Sequence, residues 1–284
     1  MSNKVTVAAI QMTYGLEEAC EKVREAASQG AQIILLPELF ENWYFCQEKS
    51  YENYHLATTL EENPAVREMQ TIARDFKVVI PVSYYERVGE TTFNTVAVID
   101  ADGTIMGQYR KTHIPDDHFY QEKFYFTPGN TGFQVWDTAY AKIGVGICWD
   151  QWFPESARCM ALQGAELLFY PTAIGSEPIL DCDSMPHWRR CMQGHAAANI
   201  MPLIAANRIG TETVKPTEDN QLTFYGSSFI ADETGALVEQ ADRENAGVLT
   251  HTFDLDEIRE MRRSWGVYRD RRPEMYGAMR GYGL

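Results

Sequence analysis

The chain has 284 residues, of which 45% are hydrophobic and 23% charged, and a formal net charge of −15. With a mean hydropathy of −0.34 and an isoelectric point near 4.8, this describes a soluble globular chain able to bury one large core. The acidity argues against a nucleic-acid partner, and no apolar run reaches the ~18 residues that a membrane span needs.

The start, Met1-Ser2-Asn3-Lys4, carries no apolar signal segment, so a cytoplasmic location is expected. Val5 to Gln11 reads as a strand. Leu16 to Gln29 reads as a helix, with Leu16, Ala19, Cys20, Val23, Ala26 and Ala27 at helical spacing and Gly30 as its stop. The apolar run Ala31 to Leu36 predicts a strand buried on both faces. Asn63-Pro64 predicts a capped helix start with an apolar stripe of Val66, Met69, Ile72, Ala73 and Phe76. Lys77 to Tyr85 reads as a strand, and Phe93–Ile99 and Thr104–Tyr109 flank a hairpin turn at Asp100-Ala101-Asp102-Gly103.

The second half repeats the pattern. A strand through Ile147 leads to a helix near Pro154–Gln163, then a strand at Ala165–Tyr170 and a helix around Trp188–Ile200. Leu203–Ala206, Phe224–Ala231, Ala236–Gln240 and Val248–Phe253 read as strands, and Asp254 or Asp256 caps a helix through Arg263. Interleaved helices and strands imply a layered α/β protein, and the hairpins imply a mixed sheet or two sheets. Residues 1–264 read as one domain. The tail Trp265–Leu284, rich in Arg, Tyr and Gly, reads either as a subunit contact or as a strap over its own domain.

Three polar residues stand at strand ends. Glu38 follows Ile33-Ile34-Leu35-Leu36-Pro37, Lys111 follows a strand ending in Tyr109-Arg110, and Cys148 follows Ile143-Gly144-Val145-Gly146-Ile147. A thiolate is a strong nucleophile but must form from a thiol that titrates near ~8.5 when unperturbed. A carboxylate can take that proton and later deliver it to a leaving nitrogen. A lysine ammonium can stabilise the oxyanion. Six scattered cysteines give no disulfide framework. Cys182, His187, Cys191 and His195 lie close in sequence, but their gaps match no familiar zinc spacing. No metal and no cofactor is expected.

Leu36-Pro37-Glu38, Arg110-Lys111-Thr112-His113 and Gly146-Ile147-Cys148-Trp149-Asp150, in that order, with Pro154-Glu155 and Gly164-Ala165-Glu166 downstream, resemble the nitrilase (carbon–nitrogen hydrolase) superfamily over most of the chain. The resemblance implies a four-layer αββα sandwich. It implies Cys148 as nucleophile, Glu38 as general base and acid, and Lys111 as oxyanion stabiliser. Glu122, in Glu122-Lys123-Phe124-Tyr125-Phe126-Thr127-Pro128-Gly129, matches a second glutamate of that family that orients the lysine or tunes the base; a purely structural ion pair is the alternative. The Trp149 backbone N–H is expected to join the oxyanion hole. Tyr44 and Phe45, in the loop after Glu38, are expected either to wall the site or to pack between the sheets. Family members commonly form homo-oligomers, so a dimer or higher is expected.

The segments Phe169–Pro178, His187–Ala196, Ala206–Gly210 and Phe224–Ile230 resemble the branch of this superfamily that hydrolyses N-carbamoylputrescine to putrescine, carbon dioxide and ammonia. A small cationic ureido substrate calls for carboxylates and aromatic faces at its ammonium end. Glu177, Asp181 and Asp183 are the candidates on the loop after Tyr170. Arg189 and Arg190 offer a carboxylate anchor instead, which keeps a β-ureido acid hydrolase, or another amidase or nitrilase, as an alternative. A catalytically idle binding module is the alternative of a different class.

Overall fold

The computed structural model describes residues 3–176, 182–213 and 221–282. The first half runs β1 (Lys4–Gln11), α1 (Leu16–Ser28), β2 (Ile33–Leu35), α2 (Pro64–Phe76), β3 (Ile80–Val88), β4 (Thr91–Ile99) and β5 (Ile105–Arg110). The second half runs α3 (Glu122–Tyr125), β6 (Val135–Asp137), β7 (Lys142–Val145), α4 (Pro154–Leu162), β8 (Leu167–Pro171), α5 (Met185–Asn199), β9 (Leu203–Ala206), β10 (Ile209–Thr213), β11 (Gln221–Tyr225), β12 (Phe229–Ala231), β13 (Leu237–Gln240), β14 (Gly247–Asp254) and α6 (Leu255–Trp265).

Two mixed sheets result. In the first, β14 pairs antiparallel with β1 and β1 parallel with β2. The bonds Ile34 N–H to Val79 O (2.9 Å) and Val79 N–H to Gln32 O (2.8 Å) then join β2 to the β3-β4-β5 meander. The second has the order β13-β12-β9-β8-β7-β6, parallel through β7, β8 and β9 and antiparallel at both edges. β10 and β11 form a separate hairpin.

Strand alternation makes the layers, because successive side chains face opposite ways. Val5, Val7, Ala9, Ile33 and Leu35 from the first sheet meet Leu167, Phe169, Ile204 and Ala206 from the second in one shared core. The alternate residues Ala8, Ile10 and Ile34 pack on α1 and α2 through Val23, Val66, Met69 and Ile72. Leu168, Tyr170, Leu203 and Ala205 pack on α4 and α5 through Met160, Trp188 and Met192. This is the expected four-layer αββα sandwich.

Local chemistry explains the boundaries. Asn63 Oδ1 accepts from the Val66 N–H at 2.8 Å and Pro64 opens α2. Asp254 accepts from the Asp256 and Glu257 N–H groups and starts α6. Lys77, read from sequence as the first residue of a strand, is instead the left-handed cap of α2 at φ 59°. The segment Phe224–Ala231, read as one strand, is broken after Tyr225. Gly226 and Ser227 take φ values of 52° and 57°, and their N–H groups turn to Arg208 O and Asp242 O. Beyond α6 the described tail forms two short turns at Pro273–Met275 and Gly277–Arg280 with no buried residue. Nearer to α6, Tyr268 is tied down by its hydroxyl to Asn199 O at 2.7 Å. Among the described residues no helix is long and apolar enough to cross a membrane.

The carboxyl ends of β2, β5, β7, β8 and β9 open toward one region, the usual place for a site in an open α/β sheet. There Gly129 donates its N–H to Lys111 O at 2.8 Å. A Cβ at residue 129 would stand 1.9 Å from Arg110 O, a backbone atom with no freedom to swing aside. Gly129→Ala is therefore expected to force the two segments apart and to lower stability by about 1–3 kcal/mol, the usual cost of overpacking. Urea unfolding measures it, and an unchanged midpoint would show that the contact is slack.

Candidate active site

Glu38, Lys111, Glu122 and Cys148 come together at these strand ends, and each is buried. Glu38 lies just past β2, and its N–H bonds to Thr172 O at 3.3 Å, tying it to the end of β8 in the other sheet. Lys111 follows β5 directly, and its N–H bonds to Asn94 O at 2.8 Å. Glu122 opens the one-turn helix α3. Cys148 begins a short 3-10 turn, Cys148–Trp152, after β7.

The lysine ammonium sits between two carboxylates, 2.8 Å from Glu38 Oε1 and 2.6 Å from Glu122 Oε2. Burial works against its charge, but Glu122 and Glu38 outweigh burial and hold it well above the ordinary lysine range. Burial is also the largest influence on Glu122 and raises it. Lys111 opposes that effect, Glu38 adds to it, and the carboxyl is pushed up to about 7. The Cys148 thiol is driven well above its ordinary value by burial, then by Glu38, with Lys111 pulling the other way. The resting side chain is thus a neutral thiol, directed toward Ala173 O at 3.9 Å.

Glu38 uses its two oxygens differently. Oε1 accepts from both Lys111 Nζ and Asn94 Nδ2, the latter at 2.7 Å. Oε2 is buried without a hydrogen-bond partner among the described residues. A buried carboxylate oxygen left unpaired is a standing acceptor for a proton.

Cys148 has a left-handed backbone at φ 41°, a conformation that costs a non-glycine residue about 1–3 kcal/mol and persists only where neighbours enforce it. Asp150 is one enforcer. Its buried carboxylate accepts from Ile147 N–H (2.9 Å), Tyr109 OH (2.7 Å), His113 N–H (3.1 Å) and His113 Nδ1 (2.8 Å). One side chain therefore ties the segment around Lys111 to the turn that carries Cys148. The sequence reading quotes Asp150 within a motif without a task, and Asn94 not at all.

The other expected site residues fall unequally. Tyr44 is fully buried and its hydroxyl donates to Glu122 Oε1 at 2.6 Å, so it belongs to the cluster through the second glutamate. Phe45 turns inward and packs on Tyr85, Tyr125 and Phe126. Trp149 adjoins the thiol, its side chain partly exposed, and its backbone N–H has no acceptor within the protein among the described residues. Glu177 and Asp181 lie outside the described residues. Asp183 is not brought to the cluster. It stands at the surface, held by Arg243 at 2.6 Å, and that guanidinium already neutralises it and lowers its carboxyl below the ordinary range. Cys191 Sγ and His195 Nε2 both donate to Gln151 O, at 3.4 and 2.7 Å, while His187 packs on Trp152. Among the described residues no group of three or more His, Cys, Asp or Glu could hold a metal ion.

A buried thiol, a carboxylate with one open oxygen, and a fixed ammonium can together perform acyl transfer at a carbonyl carbon. Comparison with known proteins agrees. A carbon–nitrogen hydrolase family model matches residues 6–263. An N-carbamoylputrescine amidase from Solanum tuberosum is 56% identical over 280 residues, covering 96% of this chain and 93% of that protein. A citrullinase from Francisella tularensis is 52% identical over 279 residues, covering 96% of each. The crystal structure of a carbon–nitrogen hydrolase from Helicobacter pylori matches with a TM-score of 0.91 at 35% identity, covering 99% of this chain and all of that one. Matched by the family model from the first strand to the last helix, the chain belongs to the carbon–nitrogen hydrolases.

Proposed function

We propose that the chain hydrolyses N-carbamoylputrescine to putrescine, carbon dioxide and ammonia, a step of polyamine synthesis. The observation that carries this reading is the buried Cys148–Glu38–Lys111–Glu122 cluster, in a chain more than half identical, nearly end to end, to a protein named for that activity.

In this reading the Cys148 sulfur attacks the carbamoyl carbon while Glu38 Oε2 takes the thiol proton. Lys111 Nζ and the Trp149 N–H hold the resulting oxyanion. Collapse breaks a C–N bond, and Glu38 returns the proton to the departing nitrogen. Glu38 then activates a water that cleaves the thioester, and the released fragment ends as carbon dioxide and the second amine. The citrullinase likeness favours a second reading, a ureido substrate that carries an amino-acid head in place of a plain amine.

A substrate panel separates the readings. N-carbamoylputrescine is expected to exceed an uncharged N-alkylurea, β-ureidopropionate and citrulline in kcat/KM. A site built for a charged group is left unsatisfied without it, a loss of about 2–5 kcal/mol and so at least roughly tenfold. Equal turnover of the cationic and neutral ureas would refute a site that reads the amine, and preference for citrulline would establish the second reading. Cys148→Ala should abolish turnover with the circular dichroism spectrum unchanged; retained hydrolysis would remove Cys148 as nucleophile.

Glu122 sets the pH dependence. An acid whose folded value is raised keeps its proton up to about 7. Below that the Lys111 charge falls wholly on Glu38 and makes it a weaker base. Activity is therefore expected to rise with pH through about 7. Glu122→Gln should give a slower enzyme without this rise, because the amide is permanently neutral. A rise that survives in Glu122→Gln would assign it to another group.

We also propose assembly into a homo-oligomer, a dimer or higher, through the exposed tail. Trp265, Met275 and Met279 there are 66%, 69% and 60% exposed, a clustering of apolar side chains along one segment of the kind that a partner covers. Light scattering at micromolar concentration should give at least twice the chain mass, and deletion of the residues after Trp265 should lower it. A monomeric full-length chain would overturn this.

A further inference from the structure

Arg208, just past β9, is a fully buried arginine. Its guanidinium donates to Glu38 O from Nε (3.2 Å) and Nη2 (3.0 Å), to Leu39 O from Nη2, and to Asn42 O from Nη1 (2.9 Å). Nη1 also pairs with Glu212 Oε1 at 3.0 Å. The other Glu212 oxygen accepts the Tyr44 N–H at 2.5 Å. Every one of these backbone contacts falls on the segment 38–44.

The contacts close into a ring. From Arg208 the path runs through Glu212 to the Tyr44 N–H, from the Tyr44 hydroxyl to Glu122, from Glu122 to Lys111, from Lys111 to Glu38 Oε1, and from Glu38 O back to Arg208. Arg208 thus holds Glu38 by its backbone and Lys111 holds it by its side chain. Between them the carboxylate is held from both ends, and Oε2 is the oxygen left without a partner among the described residues.

A simple strut need not be charged. Taking a guanidinium out of water carries a penalty of several kcal/mol, so a loop that needed only tethering would be served by a neutral donor. Here three carbonyl oxygens, of residues 38, 39 and 42, face inward together because Leu39 takes a left-handed backbone at φ 49°. A planar fork with five N–H groups can meet all of them and Glu212 at once; a lysine point charge cannot.

We propose that Arg208, with Glu212, is a positioning residue for the proton-accepting carboxylate: it fixes the segment 38–44 from behind and so keeps Glu38 Oε2 open to the Cys148 thiol. The proposal rests on the reading of Glu38 as the base. It is independent of which ureido or amide compound is the substrate.

The test uses the full-length chain and two readouts. The first is kcat and KM on N-carbamoylputrescine. The second is the rate of Cys148 alkylation by iodoacetamide across pH, followed by mass spectrometry of the Cys148 peptide so that the exposed Cys159 and Cys182 do not interfere. Arg208→Lys is expected to lose at least about tenfold in kcat with KM within roughly threefold, and Arg208→Met about a hundredfold, the scale of a catalytic group displaced by near 1 Å. Alkylation of Cys148 should slow in parallel and its pH dependence should shift, because a displaced Glu38 neither takes the proton nor holds the thiol up by its charge. Tyr44→Phe, which removes one link of the ring and a hydrogen bond that lowers the Glu122 carboxyl, should move the acid limb of activity upward. A folded Arg208→Met with the alkylation rate and pH dependence of the wild type would overturn the proposal, even with a lower melting temperature. If Arg208→Met does not fold, Glu212→Gln decides: slowed, pH-shifted alkylation supports the proposal and unchanged alkylation overturns it. A wild type that ignores N-carbamoylputrescine yet shows these alkylation effects would refute the substrate and leave the positioning role standing.

Discussion

The Lys111 ammonium, sealed between two glutamates, is the interaction on which the rest of this structure turns. Isolated, any of the three charges would be expelled from a core this dry. Together they are stable only if each is anchored by an element that cannot drift, and the sandwich supplies those anchors. Glu38 comes from the first sheet, Lys111 from the end of its meander, and Glu122 from a one-turn helix bridging toward the second. Two glutamates to one lysine leave an excess of negative charge beside the thiol. Burial is the larger cause, and the Glu38 charge adds to it, in pushing Glu122 up to about 7 and the Cys148 thiol well above its ordinary value.

The same excess gives the cysteine an unusual character. Reactive thiols are commonly found where positive charge favours the thiolate. Here burial and two carboxylates disfavour it, with Lys111 and the hydrogen bond to Ala173 O pulling the other way. On the proposed mechanism the Cys148 nucleophile is formed only at the moment of attack, when its proton has a place to go and its charge passes to an oxygen facing the ammonium. Such a site discriminates between electrophiles by requiring that one carbonyl fit both the thiol and the oxyanion position.

What was legible in the sequence follows from distance along the chain. Glu38 and Cys148 each follow an apolar run, a local but weak contrast, whereas Lys111 follows Gln108-Tyr109-Arg110 and is marked only by its motif. Glu122 shows only through its motif. Asn94 hides in the middle of an ordinary strand, β4, and meets Glu38 across 56 positions. Arg208 meets the Glu38 carbonyl across 170. Both partners in such contacts read as plain polar residues until the fold brings them together. Backbone geometry was hidden in the same way. The Phe224–Ala231 run is apolar enough for one strand, and what breaks it is a set of partners remote in sequence: Arg208 O and Asp242 O accept from the Gly226 and Ser227 N–H groups, and Asn207 Nδ2 donates to Gly226 O. Asp183 was a misleading local signal: an acid in the right loop, committed to a distant arginine.

The pairing of β14 with β1 joins Lys4 to Asp254 and Gln11 to Gly247. During synthesis β1 leaves the ribosome long before β14, the strand that covers its outer edge. Until residue 247 has emerged, an apolar strand buried in the finished protein offers an unpaired edge, the kind that recruits other chains. Glu38, Lys111, Glu122 and Cys148 have all been made by then. A product cut short just before residue 247 would carry the whole buried cluster and still lack the strand that shields the first sheet, so the hazard in making this protein lies in its closure, well after the cluster is complete.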